Sequence, residues 1–274
     1  MNNVVLREVS SAEDAIKVAE FFRTVWQDGD DVAPFDLILA AVHVGAYCVI
    51  AELDGHAVGA SFGIRGSFNS ENILHSHVTA ATVSGVGFQI KQHQLEWAKD
   101  NSIDAITWTF DPLVRRNCVF NFEKLGAIAV EYLPNFYGTM TDDINRGDQS
   151  DRLMAFWSVD DRSSLEVWQT AKGHGAAPAE LARVVLPADI EALRKDSLED
   201  ALEWRCSVRE QLLTPMTAAA KSFGAAMRPS TYAKVVSSGA TIPARAPPSM
   251  DMLHTVMRPS IESPSMALPA YSTT

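Results

Sequence analysis

The chain has 274 residues, of which 47% are hydrophobic and 21% charged; this is enough to bury a sizeable core and excludes wholesale disorder or a disulfide miniprotein. Its 23 basic against 34 acidic residues leave a net charge of −11, which opposes non-specific contact with nucleic acid, and no basic stripe overrides it locally. No run approaches the roughly 18 uncharged apolar residues of a membrane helix, the start MNNVVLREVSSAED has no basic region leading into an apolar stretch, and Cys48, Cys118 and Cys206 form no CxxC pair, so a soluble, unexported, cytoplasmic protein with free thiols and no membrane or nucleic-acid partner is expected.

Asn3 to Val9 reads as a strand, and Ser10-Ser11-Ala12-Glu13 as a capping box opening a helix with Ile16, Ala19, Phe22 and Val25 on its apolar face. Pro34 opens a second helix, which Gly45 ends after Val44. Tyr47 to Leu53, the Asp54-Gly55 pair and His56 to Arg65 read as strand, tight turn, strand, and Ile73 to Ala80 as a third strand running into a glycine-containing loop. Gln89 to Lys99 is helical, Ile103 to Phe110 a strand, Leu113 to Leu125 a helix stopped by Gly126, and Ala127 to Leu133 and Leu153 to Val159 two more strands. This order describes an α/β domain around a mixed central sheet, because only crossovers through helices join parallel neighbours.

Beyond Asp160 the signal thins to a short strand at Val184-Val185-Leu186, a short helix over Pro187 to Lys195 and a longer one over Ser197 to Leu213. Eight of the 13 prolines and six of the nine methionines follow Leu213, while none of the six tryptophans does. The organisation expected is therefore a domain over 1–160, a helical extension over 161–213 packing on it, and a proline-rich tail over 214–274, disordered from about 240.

Gly85-Val86-Gly87 sits where a strand hands over to a helix. The unpaired amides of a helix's first turn, with the positive end of its dipole, suit an anion, and glycine keeps side chains out of its way. An ordinary glycine turn is the alternative, and neither a GxxxxGK[ST] loop nor a GxGxxG after the strand 47–53 is present. Some thirty residues later Asn117-Cys118-Val119-Phe120-Asn121-Phe122-Glu123-Lys124-Leu125-Gly126-Ala127 follows the strand IDAITWTF. Together these resemble the GNAT superfamily of acyl-coenzyme A dependent N-acyltransferases, over about residues 3–160. A closer likeness, reaching about Arg209, is to an uncharacterised bacterial branch of predicted GNAT acetyltransferases with words such as LHSHVTA, ITWTFDPL, RN-x-x-FN-x-x-KLGA, YLPNFYG and SDRL.

The resemblance implies a GNAT-like mixed sheet flanked by helices, with acetyl-CoA or another acyl-CoA as co-substrate, no metal, and a small-molecule or peptide amine as acceptor. It implies a pyrophosphate over the amides of Ser84, Gly85, Val86, Gly87 and Phe88, a pantetheine arm beside Val78, Thr79 and Ala80, and contact by Asn117. Two positions depart from the family's pattern. Thr82 stands where a loop glutamine or arginine is usual, and Phe122, with no proton to give, stands where a tyrosine often acts as general acid. Strict alternation puts His75, His77 and Thr79 on one face, next to where the thioester would lie, and an imidazole there can accept the proton of an attacking amine. A hydrogen-bonded structural histidine is the other reading, and no third ligand suggests a metal. Asp111, at the carboxyl end of a strand, is either a third catalytic candidate or a helix cap. The function expected is acyl transfer to an amine by direct attack in a ternary complex; the alternative is a non-catalytic GNAT-like module that binds acyl-CoA or another protein.

Overall fold

The computed structural model describes residues 4–26, 32–68, 70–139, 145–160, 162–164 and 184–221. In chain order these form β1 (Val5–Glu8), α1 (Ala12–Trp26), α2 (Phe35–His43), β2 (Tyr47–Leu53), β3 (His56–Phe68), β4 (Glu71–Ala81), α3 (Val86–Asp100), β5 (Ala105–Phe110), α4 (Arg115–Cys118) continued by a π-helical turn over Val119–Lys124, β6 (Ile128–Leu133), β7 (Arg152–Ser158), α5 (Ile190–Asp196) and α6 (Leu198–Lys221). The strands build one seven-stranded sheet in the order β1-β2-β3-β4-β5-β7-β6. It is mixed: β4 and β5, joined through α3, run parallel, and the other neighbours are antiparallel. The fold class implied by the resemblance, a mixed sheet flanked by helices with a small helical extension, is the one observed.

Strand periodicity distributes the core. Alternate residues of β2 go to opposite sides: Tyr47, Val49 and Ala51 join Leu74, Ile90, Ile106 and Trp108 beneath α3, while Cys48 and Ile50 join Ala15, Val18, Phe22, Ile38, Ala60 and Phe62 beneath α1 and α2. Each such large side chain contributes roughly 1.5–3 kcal/mol on burial. The α3 side also receives Ile190, Ala201, Val208 and Leu212 from α5 and α6, so the extension shares that core.

Several expectations are corrected. The capping box lies one residue later: the Asp14 amide donates to Ser11 Oγ at 3.2 Å, and Asp14 Oδ2 accepts from the Ser10 amide. Leu113 to Leu125 is not one helix, because α4 lasts a single turn before widening into the π-helical segment. Val184 and Leu186 are buried in the core but form no strand. The last helix continues past 213 to Lys221; Pro215 removes one hydrogen bond, and Ala218-Ala219-Ala220 that follow are the strongest helix formers. The expected disorder from about 240, and most of the stretch 161–183, lie outside the described residues.

Candidate active site

The parallel pair at the middle of the sheet comes apart. β4 pairs with β5 only at Ile73↔Ala105, Leu74↔Ile106 and His75↔Thr107, yet β4 runs on to Ala81 and β5 to Phe110. Among the described residues the β5-facing edge of β4 from Ser76 to Ala81 therefore has no partner strand. Backbone donors and acceptors without a ladder are a template for an extended, amide-bearing ligand, and open α/β sheets bind ligands beyond the carboxyl ends of their strands.

A bulge accompanies the divergence. Phe62 pairs with Val78 but Ile64 with His75, so Ser76 and His77 together oppose Gly63. Glycine eases the close approach there: a Cβ on residue 63 would lie 3.0 Å from Leu74 Cδ1 and 3.2 Å from the His75 carbonyl oxygen, a tight fit. The bulge also corrects the face assignment. His75 and His77 remain on the α1/α2 side, where Val78 and Ala80 join the core, whereas Thr79 is turned to the α3 side with its hydroxyl 2.8 Å from Ser61 Oγ and 3.3 Å from Ser76 Oγ.

His75 is largely enclosed, its Nδ1 3.1 Å from Thr107 Oγ1, and burial, with smaller contributions from His77 and Lys91, lowers its pKa to about 4. It is thus neutral at physiological pH and a weak base. His77 is exposed, stands edge-on to Phe62, and has Nε2 3.3 Å from the Val32 carbonyl oxygen. A carbonyl only accepts, so this contact assigns the proton to Nε2 and leaves the Nδ1 lone pair free to take another.

At the carboxyl end of β4 the loop 81–85 is exposed and Gly85, the N-cap of α3, has φ 86°, a left-handed conformation natural to glycine. No side chain caps the helix and no acidic residue occupies its first turn, so the amides ahead of Phe88 keep their positive field. Gly87 leaves room as well, since a Cβ there would touch only Ala81 Cβ, at 3.9 Å. The Thr82 hydroxyl is turned back to the Val58 carbonyl at 3.3 Å. Asn117 lies half-buried in α4.

Asp111 is placed differently from the other candidates. Its carboxylate is 2.6 Å from Arg194 Nη2 and 2.7 Å from Arg205 Nη1, and Oδ1 accepts the Leu113 amide in the turn ahead of α4, so both oxygens are occupied; α4 itself starts at Arg115 without a side-chain cap, and Asp111 does not cap it. Burial alone would raise its pKa, but Arg205 and then Arg194 overcome this and hold it at about 2, which gives no base. The same two arginines bind Asp148, at 2.8 Å from Arg194 and 2.6 Å from Arg205, tying α5 and α6 to the end of β5. Phe122 packs its ring at 5.6 Å and 70° to Phe110 and serves the core. Arg116 pairs with Glu191 on the surface.

Sequence reasoning missed Lys91. It is 4% exposed, with Nζ 2.9 Å from Ser76 Oγ, 2.9 Å from Gln94 Oε1 and 4.1 Å from the Trp108 ring centroid. Burial pushes its pKa down to about 7. The only available sign was its place between the apolar Ile90 and the half-apolar stretch Leu95 to Ala98, which a solvated lysine would fit equally well. A separate open hollow, lined by Lys17, Glu20, Phe21, Thr24 and Gly55, lies between α1 and the β2–β3 turn, away from these groups.

No protein-family model matches the sequence, and a search of curated proteins gives no match. Solved structures do show similarity in fold. An acetyltransferase of the GNAT family from Streptococcus pneumoniae is 16% identical, with 57% of this chain and 99% of that one covered and a TM-score of 0.47. The aminoglycoside 6'-N-acetyltransferase from Enterococcus faecium is 13% identical, covering 58% and 98%, with a TM-score of 0.44. A Salmonella typhimurium protein solved with acetyl-CoA is 14% identical, covering 59% and 96%, with a TM-score of 0.46.

Proposed function

We propose that this chain transfers an acyl group, most simply acetyl, from coenzyme A to an amine. The observation that carries the reading is the parting of β4 from β5 beside an uncapped, glycine-led helix terminus: an unpartnered strand edge suits the amides of a pantetheine arm, and the α3 amides suit a pyrophosphate. The described residues fit that group, since the loop 81–85 is open and Gly85 and Gly87 keep side chains from the backbone. In this reading Val78, Thr79 and Ala80 offer backbone groups to the arm, Ser84, Gly85, Gly87 and Phe88 offer amides to the phosphates while the Val86 amide is bonded to the Val83 carbonyl, and Asn117 is assigned to the same group by its motif.

Acyl-CoA supplies an activated thioester; the chain supplies position and proton transfer. His77 is the base: Nδ1 takes the proton that the amine loses as its nitrogen bonds to the acyl carbon. His75, kept neutral and hydrogen-bonded to Thr107, holds the neighbouring strand edge and does not compete. Asp111 belongs to the arginine cluster and has no part in the chemistry. The acceptor is a small-molecule or peptide amine, and direct attack requires no acylated side chain.

The specific features favouring a non-catalytic acyl-CoA-binding module are Phe122, committed to Phe110, and Thr82, committed to Val58. A calorimetric titration with acetyl-CoA followed by thiol release with a panel of amines separates the readings. Binding with turnover is expected, and His77→Asn should lower turnover by roughly 10² to 10⁴ without changing acetyl-CoA affinity. Binding without turnover would favour the module, and no binding would contradict both.

A further inference from the structure

The side chain of Lys91 reaches from α3 to the point where β4 and β5 separate. The last paired residues on the α3 side are Leu74 and Ile106, so the next positions are Ser76 on β4 and Trp108 on β5. Lys91 Nζ touches both, bonding to Ser76 Oγ at 2.9 Å and lying 4.1 Å from the Trp108 ring centroid. Gln94 orients the arrangement, accepting from Lys91 through Oε1 and donating through Nε2 to Ser76 Oγ at 3.1 Å. Ser61 and Thr79 close the network beneath the bulge.

Among the described residues no carboxylate pairs with this ammonium. The groups it meets are the Ser76 hydroxyl of β4, the Gln94 amide of its own helix and the Trp108 indole of β5, and its charge is felt by His75 on β4. A buried ammonium without a counter-charge is costly, and packing alone would be served as well by methionine. Its acidity is raised by burial to about 7, within reach of a thiolate whose ordinary pKa is about 8.5.

We propose that Lys91, through Ser76, supplies the proton taken by the leaving sulfur of coenzyme A. This rests on the acyl-transfer reading above. As the amine nitrogen bonds to the acyl carbon, the carbon–sulfur bond breaks and its electron pair stays on sulfur. The Ser76 hydroxyl gives its proton to sulfur and recovers one from Lys91 Nζ. The amine's own proton leaves on the opposite side of β4 through His77, and solvent returns one to Lys91, so that acyl-CoA and amine become amide and free thiol. Base and acid thus lie on the two sides of one bulged strand. Phe122 needs no hydroxyl in this arrangement.

The test uses the full chain and coenzyme A with its free thiol. Calorimetry first establishes that coenzyme A binds the wild type and Lys91→Met; the ultraviolet absorption of the thiolate is then followed against pH in each complex. The bound thiol in the wild type should titrate at least one pH unit below the free thiol, about a tenfold larger thiolate fraction, because thiolate and ammonium stabilise each other. In Lys91→Met it should return to the free value or above. Ser76→Ala, which removes the relay and keeps the ammonium, should give an intermediate titration and replaces Lys91→Met if that variant does not fold. Identical titrations in wild type and variant, with equal affinity, would overturn the inference and leave the acyl-transfer reading intact. Failure of the wild type to bind coenzyme A would remove the acyl-transfer reading itself, and this inference with it.

Discussion

The carboxylate–arginine cluster at the end of β5 and the lysine beneath the β4 bulge both bury ionised groups, but only the first provides counter-charges. Asp111 and Asp148 each meet Arg194 and Arg205, with side-chain exposures of 8% or less throughout. Lys91 meets two neutral oxygens and an indole face. The charge-paired set, in which Arg194 Nη1 alone is a buried nitrogen without a hydrogen-bond partner among the described residues, fastens α5 and α6 to the sheet. The unpaired lysine does little for cohesion and sits where the strands part. Compensated buried charge here marks architecture, and uncompensated buried charge marks the candidate site.

The largest expected effect comes from breaking the paired set. Arg205→Leu strands Asp111 and Asp148 in the core with half of their partners, and should cost about 3–5 kcal/mol, read from the denaturant midpoint. The sign with pH is also fixed. Asp111 is held at about 2 against an ordinary 3.8, so the unfolded chain binds more protons between these values. The cluster's contribution is complete above about 4 and is lost as pH falls through 2. Acid unfolding that begins well above that range, with the cluster intact, would contradict the pairing.

The second effect has the opposite sign. Lys91→Met should raise stability at pH 7 by about 1–3 kcal/mol, because it removes a desolvated ammonium without stranding a partner charge. With a folded pKa of about 7 against an ordinary 10.5, the unfolded chain binds the extra proton between them. Wild-type stability should therefore rise from pH 7 towards 10.5 while the variant's does not, and the gain should shrink accordingly. A destabilised variant with the wild-type pH dependence would make Lys91 a structural group.

A third effect concerns the open helix terminus. At Gly87 an added Cβ would meet only Ala81 Cβ, so Gly87→Val is expected to fold, but it should weaken acetyl-CoA binding at least tenfold, about 1.4 kcal/mol, in calorimetry. Gly85 is a poorer probe because its left-handed backbone strains any β-branched residue. The smallest effect belongs to the exposed pair. Arg116→Ala, which breaks the contact with Glu191, should cost less than about 1 kcal/mol in the same denaturant measurement.

The sequence made the elements legible because periodicity and punctuation agree there: Asp54-Gly55 between two apolar strands, Pro34 and Gly45 around α2, and Gly126, at φ 71°, after the π-helical turn. The glycine loop before α3 was legible for the same reason. The β4 bulge was not, because it is a long-range register effect set by Gly63 on the neighbouring strand, and strict alternation then misplaced Thr79. Asp111 read as a catalytic candidate because its arginine partners lie 83 and 94 residues away, where no local spacing connects them. Lys91 was silent for a related reason: its significance is that its partners among the described residues are neutral, which exists only in three dimensions.

The central claim, that acyl-CoA enters where β4 parts from β5, is tested most directly by following backbone amide resonances of the full chain during titration with acetyl-CoA. Saturable shifts concentrated at His77 to Ala81, at Ser84 to Phe88 and around Trp108 are the predicted result. Shifts confined to other surfaces, such as the hollow lined by Lys17 and Glu20, or an unchanged spectrum at saturating acetyl-CoA, would contradict it.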